Sequence, residues 1–172
     1  MVVALTDPDK RVSGSGLEAL RSAGIAVDTG QNSDSAAQQL NPYLHHRVTG
    51  RPYVVLKLAA TLDGRIAAPD GSSNWITGEE ARKDVHKLRA ESDAICVGAG
   101  TIRSDNPRLT ARSVEGKDPR RIVFGEIPEG SKVEPAESWQ GPPGELIRRL
   151  GEEGVLQLLI EGGADLAGQV HR

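Results

Sequence analysis

Near the C-terminal end of the chain, an apolar stretch from Leu156 to Ile160 runs into Glu161-Gly162-Gly163 and then into a segment that again reads as helix. A strand that ends on two glycines ahead of a helix narrows the fold further than any other feature. Upstream, strand-like and helix-like segments alternate, which indicates an α/β fold around a largely parallel sheet flanked by helices.

The order of elements can be read from the N-terminus. Val2 to Leu5 reads as a buried strand directly after Met1. Leu17, Leu20 and Arg21 sit in a short amphipathic segment closed by Gly24, and Ile25 to Val27 reads as a second strand. Ser35 with Gln38 fits a capping box, and Ala36, Leu40, Leu44 and Val48 recur as one helix face. Pro42 leaves two readings open, one kinked helix or two abutting pieces. Gly50-Arg51-Pro52 is the candidate boundary, because a strongly strand-like run, Tyr53 to Ala60, follows it. Thr77 with Glu80 makes a second capping box, ahead of a helix whose apolar stripe is Ala81, Val85 and Leu88.

Ala94 to Val97 is then a strand, Leu109 to Ala111 is extended, and Arg121 to Phe124 is another strand. Pro128 to Pro143 reads as a surface stretch in which Trp139 needs some burial. Leu146, Ile147 and Leu150 mark the last clear amphipathic helix before the Leu156 to Ile160 strand. The chain starts as if inside a fold and stops at Arg172 within an apparent helix, so both ends are expected to be truncated.

Composition removes several classes of function. Aromatic residues are 3% of the chain, so the core must be aliphatic and base stacking has almost no material. The net charge of -3 lacks the basic balance of nucleic-acid binders, while a phosphorylated small molecule needs only a local basic cluster. The single Cys96 excludes an internal disulfide and a multi-cysteine zinc site, and favours a reducing, cytoplasmic setting. No apolar run approaches the roughly 18 residues of a membrane span, and the basic-then-apolar order of a signal peptide is absent, so no membrane partner is expected.

Candidate chemistry gathers at strand ends. Gly162 and Gly163 either let a ligand phosphate approach a helix N-terminus or simply make a tight turn. Val97-Gly98-Ala99-Gly100-Thr101 also follows a strand, but Arg103 stands where a dinucleotide fingerprint needs its third glycine. Asp63, Asp105 and Glu161 fall where open α/β sheets place their ligands, although Asp in such turns commonly serves as a cap. Glu161 stands out, since a carboxylate leaving an apolar strand is partly desolvated, which raises its pKa and suits it to proton transfer or to a hydroxylated ligand. Lys57 either points to solvent from an edge strand or faces a site. Arg89 and Arg112 could fork a phosphate monoester, or simply be solvated. His45, His46, His86 and His171 show no metal-ligand spacing and receive no role.

The order of motifs carries a resemblance. Leu56-Lys57-Leu58-Ala59-Ala60-Thr61-Leu62-Asp63-Gly64-Arg65 is followed by Ser73-Asn74-Trp75-Ile76-Thr77, Leu88-Arg89, Val97-Gly98-Ala99-Gly100-Thr101, Asp105-Asn106-Pro107-Arg108-Leu109-Thr110-Ala111-Arg112 and Glu161-Gly162-Gly163. Together they resemble the reductase domain of the bifunctional riboflavin-biosynthesis deaminase/reductase family, whose fold is dihydrofolate-reductase-like. The resemblance covers residues 51–172, taken as the N-terminal and central part of that domain. Residues 1–50 look like the tail of the family's cytidine-deaminase-like domain.

The family's His-Ala-Glu and Pro-Cys…Cys zinc elements are absent here, so no metal is expected in this chain and zinc belongs to the deaminase portion of the parent protein. That portion deaminates diaminohydroxyphosphoribosylaminopyrimidine. Gly125 stands where many relatives have Asp, at the adenosine end of the cofactor site.

The resemblance implies NADPH-dependent reduction of 5-amino-6-(5-phosphoribosylamino)uracil to 5-amino-6-(5-phosphoribitylamino)uracil, with hydride delivered to the sugar C1′. Carried over by position, Ala59, Trp75, Thr101, Asp105 and the turn Gly163, Ala164, Asp165, Leu166, Ala167, Gly168 and Gln169 match cofactor-contacting residues. Ser73, Arg89, Leu109, Arg112 and Glu161 match substrate-contacting ones, and Lys57 with Glu161 is expected to orient the ribose and assist proton delivery. A homodimer is also implied. Two other readings compete: another pteridine or pyrimidine reductase of this fold, and a non-catalytic binding or assembly module. The resemblance places further strands beyond Arg172. Without them the sheet keeps an unpaired edge, and the isolated chain is expected to be poorly stable; a cooperative, monomeric melt contradicts this.

Overall fold

The computed structural model describes residues 1–69 and 75–170. In chain order the elements are β1 (Val2–Val3), α1 (Ser15–Ser22), β2 (Asp28–Thr29), α2 (Ser33–Thr49), β3 (Tyr53–Lys57), α3 (Glu79–Glu91), β4 (Ala94–Gly98), α4 (Ala99–Asp105), β5 (Arg120–Phe124), β6 (Glu137–Trp139), α5 (Pro143–Glu152), β7 (Gln157–Glu161) and α6 (Ala164–Val170). β1 and β2 form a small parallel pair. The other five strands form one sheet in the order β3-β7-β4-β5-β6, with every pairing parallel.

Burial on both faces explains why the central strands lack a polar alternation. Ala94, Cys96, Ile122, Leu158 and Ile160 pack on one face against Leu146 and Leu150 of α5 and Leu166 of α6. Ile95, Val97, Val123 and Leu159 pack on the other, with Ile102 of α4, Leu109 and Leu88 of α3. The core is aliphatic, as the composition requires. The Asp93 carboxylate sets the register of β7, since one of its oxygens accepts the Leu156 and Gln157 amides at 2.8 and 3.0 Å.

Several boundaries differ from the sequence reading. β3 stops at Lys57 rather than Ala60, because its partner β7 ends at Glu161 and beyond that pair no ladder remains. The second strand lies at Asp28–Thr29 rather than Ile25 to Val27. Gly24 and Ile25 are used to close α1, their amides bonding to the Arg21 and Leu20 carbonyls with Gly24 at φ 77°.

α2 is one helix through Pro42. The carbonyl that Pro42 leaves without a helical donor belongs to Gln38, an exposed residue that water can reach. Neither capping box forms: α2 starts after Asn32 and α3 after Gly78, both without a side-chain cap bond. Leu109 is left-handed at φ 53° rather than extended, and the 128–143 stretch contains the short strand β6.

The Gly50-Arg51-Pro52 boundary is a close junction between the end of α2 and the end of α5. His46, buried on α2, donates Nε2–H to the Gly151 carbonyl at 2.9 Å. A Cβ on Gly151 would meet the Gly50 oxygen at 2.1 Å and the Arg51 Cα at 3.0 Å. Gly151→Ala is therefore expected to destabilise the protein by about 1–3 kcal/mol in urea unfolding, whereas Gly144→Ala on the same helix, which meets nothing within 4 Å, should be close to neutral. Equal effects would show that the junction is not tight.

Candidate functional site

Parallel strands bring their C-terminal ends to one edge, where the loops and helix starts of this sheet converge. Lys57 and Glu161 are the last residues of β3 and β7 and are partners in the ladder. Partnered residues of parallel strands project to the same face, so both lie on the side of Val55 and Leu159, which packs against α3. Lys57 is half-buried, and makes no hydrogen bond or ion pair among the described residues.

Glu161 is not the lone desolvated carboxylate that the apolar strand implies. Although only 8% exposed, it is held from two directions at once by Arg89 on α3: Nε donates to Oε1 at 2.7 Å and Nη2 to Oε2 at 2.8 Å. This planar, bidentate pairing is the arrangement a guanidinium is built for, and it offsets the cost of burying the charge. A carboxylate has about four lone-pair sites, so after Arg89 each oxygen can still accept a ligand hydroxyl.

The third contact of Arg89 reaches the loop after α4. Nη1 donates to the Thr110 carbonyl at 3.2 Å, and the same carbonyl accepts from His86 Nδ1 at 2.8 Å. His86 and Arg89 stand three residues apart on one face of α3. Burial holds the His86 imidazole below its ordinary 6.5, Arg89 and Arg112 push the same way, and the Thr110 bond and Glu161 oppose them.

Either side of Thr110, Leu109 and Ala111 are buried, and the Ala111 amide donates to Asp118 at 2.8 Å. The loop is thus anchored while Arg112 stands exposed, its Nη1 on Thr110 Oγ1 at 3.2 Å. Arg89 and Arg112 therefore do not form an open pair of forks. Three N–H groups of Arg89 are engaged within the protein, which leaves two of its five donors for a ligand.

β4 ends on Gly98, and its neighbour β7 is followed directly by Gly162 and Gly163. Side chains added at Gly98, Gly100 or Gly163 would meet nothing within 4 Å, so a ligand can approach the backbone there, whereas one on Gly162 would touch the Gly98 nitrogen at 3.6 Å and Leu166 at 3.7 Å. A shallow concavity is lined by Ala164, Asp165, Gly168 and Gln169 of α6, while Leu166 on the same helix points into the core. The other carried-over positions surround this edge in sequence. Ala59 follows β3 half-buried, Thr101 is half-buried in α4, Asp105 ends α4 exposed, and Ala167 is half-buried. Trp75 is 73% exposed and stacks under Arg82, whose guanidinium carbon lies 4.4 Å from the ring centroid. Ser73 lies outside the described residues.

Asp63 makes a local turn, accepting the Thr61 hydroxyl and pairing with Arg65, with its pKa lowered first by the Thr61 bond. Among the described residues no three His, Cys, Asp or Glu gather to hold a metal. His86, which receives no role from the sequence, joins this cluster through its burial and its bond to the Thr110 carbonyl, neither of which its spacing from Arg89 signals.

Comparisons with known proteins converge on one family. The RibD C-terminal domain family matches residues 52–172. The riboflavin biosynthesis protein RibD of Chlamydia muridarum is 40% identical over 202 residues, covering 95% of this chain and 54% of that protein. Among solved structures, RibD of Acinetobacter baumannii superposes with a TM-score of 0.86 at 34% identity, over 96% of this chain and 55% of that one. A diaminohydroxyphosphoribosylaminopyrimidine deaminase/5-amino-6-(5-phosphoribosylamino)uracil reductase from Thermotoga maritima also scores 0.86, at 31% identity, over 99% of this chain and 55% of that one. The chain thus spans about half the length of the relatives it matches.

Because the Arg89–Glu161 pair is shielded from water on both sides, losing one partner leaves the other charged and buried. Arg89→Leu is expected to cost about 3–5 kcal/mol in chemical denaturation. A loss below about 1 kcal/mol would mark the pair as an ordinary surface contact.

Proposed function

Because the chain belongs to the RibD C-terminal domain family, we propose that it is the reductase part of a riboflavin-pathway enzyme, reducing 5-amino-6-(5-phosphoribosylamino)uracil to 5-amino-6-(5-phosphoribitylamino)uracil with NADPH. The observation that carries this reading is the juxtaposition of Lys57 and Glu161 at one strand edge, with Arg89 and Arg112 beside them. Residues 1–50 are read as the tail of a deaminase-like domain whose zinc-binding elements lie outside this chain. A cytoplasmic setting and a homodimer belong to the same proposal; β3 is an edge strand of the described sheet, and Leu56 and Leu58 stand exposed on it or just past it.

The open glycine backbone at the ends of β4 and β7 suits a nicotinamide dinucleotide, since a pyrophosphate needs close backbone approach and free amides at a helix start. Gly163, Ala164, Asp165, Leu166, Ala167, Gly168 and Gln169 would hold it, Leu166 through its backbone only, with Ala59, Trp75, Thr101 and Asp105 around it. When bound, the cofactor supplies hydride to C1′.

This chain's residues do the rest. The Arg112 guanidinium, exposed on an anchored loop, grips the substrate phosphate, with the two remaining donors of Arg89 as further ligands, and Ser73 and Leu109 are carried over as further substrate contacts. Glu161, held in place by Arg89, accepts a ribose hydroxyl and fixes the sugar beside Lys57. As the C1′–H bond forms, the C1′–O4′ bond breaks and O4′ takes a proton, in this reading from the Lys57 side chain. The ring thereby opens into the ribityl chain.

Lys57→Ala and Glu161→Gln are each expected to lower turnover by roughly 10²-fold or more, measured as NADPH oxidation with the phosphoribosylamino-uracil substrate. NADPH affinity, followed by Trp75 fluorescence, should be retained in both. Near-normal turnover in both variants would overturn the assignment of these two residues, and an inactive wild-type chain that also leaves Trp75 fluorescence unchanged would overturn the reductase reading.

A further inference from the structure

The loop that carries Arg112 has an unusual means of support. Leu109 holds a left-handed backbone, which a branched, bulky side chain adopts only where its surroundings enforce it. Two of the enforcing contacts are side-chain burial at Leu109 and Ala111. The third is the Thr110 carbonyl, which accepts one hydrogen bond from Arg89 and a shorter one from His86.

Arg89 is already committed to Glu161, so its position is set by the β7 end. His86 has no other hydrogen-bond partner among the described residues, and its Nδ1 is directed at Thr110 alone. We propose that His86 is a positioning residue for the phosphate end of the site: through the Thr110 carbonyl it fixes the loop from which Arg112 meets the substrate's phosphate monoester. The inference rests on the reading of Arg112 given above, and adds to it the group that holds Arg112 in place.

The chemistry of the contact determines the state of the imidazole. A carbonyl can only accept, so Nδ1 carries the proton. Arg89 on its own helix, Arg112 on the loop and Glu161 on β7 all act on the ring, and a third positive charge there would face two guanidiniums against one carboxylate. His86 is therefore a neutral donor, with Nε2 bare. A neutral donor can brace a cationic loop without repelling it, which a lysine or arginine at this position could not do.

The test is calorimetric titration with ribose 5-phosphate as the phosphate-monoester probe and ribose as its uncharged control. His86→Phe keeps the ring volume but removes the donor, while His86→Asn returns an N–H at the place of Nδ1. Affinity for ribose 5-phosphate is expected to fall roughly tenfold in His86→Phe and to recover to within about threefold of wild type in His86→Asn, with NADPH affinity unchanged in both.

Long-range 15N–1H spectra of the wild-type imidazole give a second reading that needs no variant. They should show Nδ1–H with bare Nε2, shifted by ribose 5-phosphate and not by ribose. Unchanged affinity in His86→Phe, equal loss in both variants, or an Nε2–H tautomer would overturn the proposal while leaving the reductase reading intact. A wild-type chain with no affinity for ribose 5-phosphate would overturn both.

Discussion

The bidentate pair between Arg89 and Glu161 joins an outer helix to an interior strand of the sheet, at the edge where open α/β sheets take their ligands. Its energetic position is demanding. Two charges sit in a region that is otherwise aliphatic, and such a pair is tolerated only when its geometry is near ideal and its remaining donors are met. The geometry is near ideal, because each carboxylate oxygen receives its own N–H, and the Thr110 carbonyl meets a third donor of Arg89, which leaves two donors for a ligand. The consequence is a carboxylate held in one orientation at the end of a buried strand. Lys57 stands beside it in the ladder, and an anchored loop stands across from it.

The parallel sheet makes this arrangement inexpensive in chain length. β3, β7 and β4 are neighbours in the sheet though far apart in sequence, and all three end at the same edge. One of these ends supplies a cation, one an anion followed by glycine, and one a glycine that opens into α4. Asp93 at the opposite end of the sheet fixes where β7 starts, so four residues after Gln157 the strand reaches Glu161, level with Lys57. A one-residue slip would turn Glu161 to the face of α5 and α6, away from Arg89.

Much of this was legible in the residues, for reasons that differ by element. The central strands announced themselves because burial on both faces removes polar alternation, and Glu161-Gly162-Gly163 marked a strand end because glycine there serves no packing purpose. Helix starts were less legible. Asn32 and Gly78 cap α2 and α3 without side-chain bonds, so capping boxes placed at Ser35 and Thr77 had nothing to act on. β6 was hidden because three residues, Glu137 to Trp139, carry no period.

Residue types pointed to the edge formed by the C-terminal ends of the strands but not to the pairing among them. Nothing in spacing tells that Arg89 faces Glu161 across 72 positions, or that the Thr110 carbonyl joins His86 to the same cluster. Such contacts are set by tertiary packing. A histidine one turn from an arginine on an amphipathic helix is ordinarily a surface residue, and only its burial and its backbone partner single it out.

The central claim is that this edge transfers hydride to the sugar carbon of a phosphoribosylamino-uracil. It is tested most directly by supplying NADPH deuterated at the transferred position of the nicotinamide ring and locating the label in the product. The account predicts one deuterium, carried on C1′ of a ribitylamino product with an opened sugar. Product labelled elsewhere, or a ribityl product with no deuterium, would contradict it.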